Sequence, residues 1–218
     1  GRGAMTANTT GVYNVAFGHQ ALDANTTGNN NTALGRASLS GATTAGNNTA
    51  VGYVALGDAT LTGDDNTAVG YGSLAATTTG HNHTSVGKSA LAANTTGTHS
   101  TALGSTALQA NTTGGANVAA GSRAMEATTT GSSNAVVGYK ALLTSTTGEG
   151  NVAVGREALL YNTTGDNNVA IGRTALENVT TGYRNVGVGQ YAGAGITTGL
   201  TNVCIGYSAG SGSGNISQ

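Results

Sequence analysis

The chain of 218 residues contains no proline, no tryptophan, one phenylalanine and one cysteine. Charged residues make up 8 % and aromatic residues 4 %, where an ordinary globular domain is roughly one quarter charged. Each shortage excludes something. Collagen needs abundant proline and glycine at every third position, but the 37 glycines here are about one residue in six. A single Cys204 permits no internal disulfide. A net charge of −1 offers no basic stripe for nucleic acid. No run approaches the roughly 20 apolar residues of a membrane span, so membrane insertion is not expected, and no signal-peptide pattern is visible. Large side chains are too few for the core of an ordinary enzyme domain. The opening Gly1-Arg2-Gly3-Ala4-Met5 reads as a cloning scar or an internal cut.

What is abundant is glycine, threonine, alanine and asparagine, which together supply 131 of the 218 residues. Such bias arises from disorder or from repetition, and a fixed period decides between them. A first glycine, usually after Thr-Thr, recurs from Gly11, Gly28 and Gly46 through to Gly182 and Gly199. A second recurs from Gly18, Gly35 and Gly52 through to Gly189 and Gly206. The step is 17 residues apart from one irregularity in the third repeat. Twelve repeats therefore run over residues 8–209, preceded by a lead-in at 1–7 and followed by a Gly/Ser-rich tail at 210–218.

The columns of the repeat predict its structure. Before the second glycine stands a mostly large apolar residue, such as Val154 or Ile171, and two residues earlier a mostly β-branched one, such as Val152 or Thr67. Between them lies a small residue, usually alanine. This alternation predicts one short strand per repeat, its large apolar side facing inward. An Ala-Leu pair such as Ala158-Leu159 supplies a second inward anchor, and the Thr-Thr-Gly supplies the turn. A column of asparagines, Asn14, Asn31, Asn48, Asn66, Asn117, Asn134, Asn151, Asn168, Asn185 and Asn202, precedes the strands. Stacked asparagines can bond amide to amide along such a column. His83 and Ser100 fill its two gaps. Seventeen residues are too few for a helix pair, and glycine, threonine and asparagine are poor helix formers. The expectation is an all-β, parallel β-solenoid of about twelve 17-residue turns, roughly 58 Å long at one strand spacing per turn. Proline is then absent because nearly every backbone N–H is needed between turns.

Asn151-Val152-Ala153-Val154-Gly155 and Asn168-Val169-Ala170-Ile171-Gly172, each followed by x-x-Ala-Leu, resemble the head repeats of trimeric autotransporter adhesins. The 17-residue spacing and the turns Asn25-Thr26-Thr27-Gly28, Asn94-Thr95-Thr96-Gly97 and Asn162-Thr163-Thr164-Gly165 are more similar to the Asn-Thr-Thr-Gly arrays of phage tail-fibre-like proteins. The resemblance implies a left-handed β-roll in a homotrimer, with the small alanine column letting neighbouring chains approach closely. It also implies an extracellular place, on a virion tail fibre or a bacterial cell surface. The function it implies is a structural and adhesive fibre segment, with a bacterial adhesin head as the alternative and flanking sequence as the discriminator.

No catalytic set can be picked out by spacing, so an enzyme is not expected. The column after the second glycine varies most and reads as exposed. Its Tyr53, Tyr71, Tyr139, Arg156, Arg173 and Tyr207 are candidates to face a cell-surface glycan or protein receptor. His81-Asn82-His83 has two readings. In a trimer, six imidazoles could gather an axial transition metal at His81 and His83, the only cofactor suggested. Alternatively, His81 lies in an exposed turn and His83 fills an asparagine slot. An ice-binding solenoid is the remaining alternative. The turn threonines do not favour it, because adjacent residues such as Thr26-Thr27 point to opposite faces.

Overall fold

The structure, a computed structural model, describes residues 1–57 and 59–212. The last six residues of the Gly/Ser-rich tail lie outside the described residues. The chain divides into two units, Gly1–Thr113 and Gly114–Gln218. The first holds β1 (Val15–Phe17), β2 (Thr32–Leu34), β3 (Thr49–Val51), β4 (Thr67–Val69), β5 (Thr84–Val86) and β6 (Thr101–Leu103). The second holds β7 (Val118–Ala120), β8 (Ala135–Val137), β9 (Val152–Val154), β10 (Val169–Ile171), β11 (Val186–Val188) and β12 (Val203–Ile205). Within each unit consecutive strands pair in parallel and in register, Thr49 against Thr67 and Val152 against Val169 for example. Each unit is thus a β-solenoid with one strand per repeat.

Hydrogen bonds between turns continue outside the strands. Leu159 N–H donates to the Ala175 carbonyl at 3.0 Å, Tyr161 N–H to Glu177 at 3.0 Å and Thr163 N–H to Thr180 at 2.8 Å. The first threonine of the turn adds its side chain, Thr163 Oγ1 donating to the Thr180 carbonyl at 3.0 Å. A backbone so committed has no place for proline.

The strand faces are the reverse of those expected. The middle residue of each strand is the inward one: Ala33, Ala50, Ala68, Ala102, Ala153 and Ala170 are fully buried. The β-branched and large apolar residues on either side point outward. The cause is the width of a 17-residue turn. The buried Leu22, Leu39, Leu56, Leu74, Leu91, Leu108, Leu142, Leu159 and Leu176 occupy the interior. The side chain opposite is alanine in most turns, with the fully buried Val136 of β8 the largest seated there. At Gly187 even a Cβ would lie 2.7 Å from Leu176 Cγ. The small column therefore packs inside its own chain and is not available to neighbouring ones. These leucines also take a left-handed backbone, Leu159 at φ 53° and Leu176 at φ 50°. That conformation costs a non-glycine residue about 1–3 kcal/mol, and inter-turn bonding and burial hold it.

Candidate functional site

The asparagine column does more than stack. In the first unit Asn14 Oδ1 accepts from Asn31 N–H at 2.9 Å, Asn31 from Asn48 at 3.0 Å and Asn48 from Asn66 at 2.9 Å. In the second unit the series Asn117, Asn134, Asn151, Asn168, Asn185, Asn202 repeats the link at 2.9–3.0 Å. The Nδ2 donates to the carbonyl of the turn that follows, Asn151 to Gly165 at 2.9 Å and Asn168 to Gly182 at 2.9 Å. The expected amide-to-amide contact is present in places, as from Asn185 Nδ2 to Asn168 Oδ1 at 3.1 Å. The principal link, however, runs from side chain to backbone. A second buried asparagine column went unread in the sequence, because Asn-Thr-Thr-Gly looks like a solvated turn. Asn25, Asn94, Asn111 and Asn162 are fully buried, and Asn162 closes its turn by bonding both the N–H and the carbonyl of Gly165.

His83 occupies an asparagine slot and reproduces its bonds. Ser100 N–H donates to Nδ1 at 3.2 Å, and Nε2 lies 2.6 Å from the Gly97 carbonyl. A carbonyl only accepts, so the proton sits on Nε2 and the ring is neutral. Both nitrogens are engaged within the chain, so His83 does not fit an axial metal. His81 is half-exposed and meets His99 edge-on, ring centroids 5.4 Å apart. Among the described residues no three His, Cys, Asp or Glu side chains form a group that could hold a metal. An open cavity lined by Thr62, Gly63, Asp64, Asp65, Thr79 and His81 adds no such set.

Burial holds the His83 pKa below its usual 6.5, and the nearby His81 and His99 act in the same direction. The unfolded chain therefore takes up a proton near pH 6.5 while the folded chain does not. Stability from the neutral ring is complete above that pH and is lost as pH falls through the depressed folded pKa. The thermal midpoint should decline on acidification from about pH 7.5 to 5, and His83→Asn should remove part of the decline. An identical pH profile for the variant would contradict this assignment.

The column after the second glycine is exposed as expected, including Tyr53, Tyr71, Tyr139, Arg156, Arg173 and Tyr207. Neighbouring turns bring its members together. The rings of Tyr53 and Tyr71 stack with centroids 5.4 Å apart at 28°, and Arg36 lies over Tyr53 at 5.4 Å. In the second unit Lys140 and Arg156 approach Tyr139 at 5.2 and 5.9 Å. There Glu157 pairs with Arg156 at 3.3 Å and Glu126 with Arg123 at 2.7 Å. Cys204 lies buried in the inward column, and burial raises its thiol pKa.

The outward strand faces differ between the units. In β2–β6 the first outward column is Thr32, Thr49, Thr67, Thr84 and Thr101, and no described hydrogen bond engages these hydroxyls. In β7–β12 both outward columns are aliphatic; Val152, Val169, Val186 and Val188 are half-buried, and the more exposed members run from 38 % at Val154 to 69 % at Ile205. No described helix is long and apolar enough to cross a membrane. In comparison with known proteins, no family model and no curated sequence matches the chain.

Proposed function

We propose that the chain is a structural and adhesive segment of a homotrimeric fibre. The fibre is a phage tail fibre or a similar appendage outside a bacterial cell, and its variable edge faces a glycan or protein receptor. The observation that carries this reading is the aliphatic outer face of β7–β12. Val137, Val154 and Ile171 stand in register on successive strands and are exposed in a single chain. A contiguous apolar face of this kind marks an interaction site, and its burial between copies is worth about 25 cal/mol per Å². The resemblance to trimeric repeats sets the number of copies at three. Light scattering should give about three times the chain mass of 21.1 kDa. Ile171→Asp should shift that mass toward one chain by placing a carboxylate in the apolar face. A mass of one chain for the unaltered protein would remove the trimer.

One observation favours a second reading. The strand threonines of β2–β6 form a regular outward column beside Leu34, Val51, Val69, Val86 and Leu103. This is a threonine rank that the turn threonines do not supply, and it suits an ice-binding face. The two readings require opposite fates for the strand face. A monomer showing thermal hysteresis supports ice binding, whereas a trimer without hysteresis supports the fibre.

A further inference from the structure

On one edge of the first unit, Arg36, Tyr53, Tyr71 and Lys88 follow one another in consecutive turns, and all four are exposed. Their backbones are tied in that order. Val54 N–H donates to the Arg36 carbonyl at 3.1 Å, Gly72 to Tyr53 at 3.0 Å and Ser89 to Tyr71 at 2.8 Å. The two tyrosine rings stack in the middle. At the ends stand two cations that form no salt bridge with a carboxylate among the described residues. In the corresponding column of the second unit Arg156 is paired with Glu157, and no two tyrosines stand in consecutive turns there.

We propose that this ladder binds an acidic oligosaccharide laid along the direction in which the turns stack. The apolar face of a sugar ring packs on a tyrosine ring, and Tyr71 offers it the more open one, since Tyr53 already carries Arg36 over its ring. The carboxylate or sulfate groups of the sugar meet Arg36 at one end and Lys88 at the other. Three turn intervals give the ladder a span of about 14 Å, the scale of a short oligosaccharide. A polyphosphate fits less well. Two cations on a chain of net charge −1 supply too few phosphate contacts for nucleic acid. The proposal rests on the adhesive reading, because it names the ligand class for the same exposed column.

The test is calorimetric titration of the whole chain with tetragalacturonate, with a chondroitin sulfate tetrasaccharide in a second arm to separate carboxylate from sulfate recognition. Cellotetraose and a short oligothymidylate serve as controls. Binding is expected for at least one acidic probe and is expected to weaken with added salt. Tyr71→Ala, and separately Arg36→Gln with Lys88→Gln, should each weaken it about tenfold or more. Tyr161→Ala, exposed but outside the variable column, should leave it unchanged. All these positions are exposed, so unchanged thermal melting should show that the variants fold. Absence of binding to both acidic probes, equal binding of either control, or indifference to the ladder substitutions would overturn the proposal. Retention of bacterial cells on protein-coated beads tests adhesion separately. Retention without acidic-sugar binding removes the ladder alone, and sugar binding without retention removes the adhesive reading alone.

Discussion

Gly155→Ala should destabilise the protein by roughly 2–6 kcal/mol, combining backbone strain and overpacking. Two causes act together. Gly155 has φ of 131°, outside the range that side-chain-bearing residues adopt readily, and an added Cβ would lie 2.6 Å from the carbonyl oxygen of Gly172 in the next turn. The obstacle is backbone, which cannot rotate aside as a side chain would. Moving it would also strain the Gly155 N–H bond to Val137, 2.8 Å long, on the other side. Gly206 offers a control within the same column. Its φ is 118°, but none of the described residues lies within 4 Å of a Cβ placed there. Gly206→Ala therefore carries the backbone strain of about 1–3 kcal/mol without the collision. Chemical denaturation of the two variants separates the terms, and equal losses would show that inter-turn crowding does not act at Gly155.

The same column shows how much of the fold could be read from residues. Two glycines per repeat set the period, and the β-branched residues placed a strand before the second of them. Both readings agree with β1 to β12 in position. Which face of the strand points inward could not be read in the same way. The usual rule sends the larger apolar residue to the core, and that rule presumes a core wide enough to receive it. The width of a 17-residue turn appears only when the buried leucines are seen against the strand's middle residue, as Leu176 is against Gly187, where an added Cβ would lie 2.7 Å from its Cγ. The left-handed leucines were equally hidden, because leucine is not a turn former and its conformation here is imposed by inter-turn bonds.

At the candidate site the exposed column was legible from its variability, which requires no geometry. Its pairing was not. The stacking of Tyr53 on Tyr71, and the absence of a salt bridge at Arg36 and Lys88 among the described residues, follow from the register of neighbouring turns and from where the described carboxylates lie. His83 illustrates the opposite case. In sequence His81-Asn82-His83 looks like a pair of ligands, because alternate strand residues share a face. The strand begins only at Thr84, so that alternation does not apply, and His83 turns inward to replace an asparagine.

That replacement leads to the second large effect, at Asn151. Asn151→Leu should cost roughly 1–3 kcal/mol, because it strands one buried polar group and removes one of the two donors of another. The Asn168 N–H loses its acceptor at 2.9 Å, and the Gly165 carbonyl loses the donor at 2.9 Å while keeping Asn162 Nδ2 at 3.0 Å. Asn151 is fully buried, so water does not replace either partner without opening the turn. The leucine is close in volume, which isolates the polar loss from a cavity. Asn151→His should be much milder, because an imidazole with its proton on Nε2 supplies one acceptor and one donor, as His83 does for Ser100 and Gly97. Asn151→Asp should fall between them near neutral pH, keeping the acceptor but setting a carboxylate against the Gly165 carbonyl. On acidification the protonated aspartic acid regains a donor, so its deficit relative to the unaltered chain should shrink. The order histidine, aspartate, leucine in denaturation midpoints identifies the column as a donor–acceptor relay between turns. A leucine variant as stable as the histidine variant would reduce it to a matter of side-chain size.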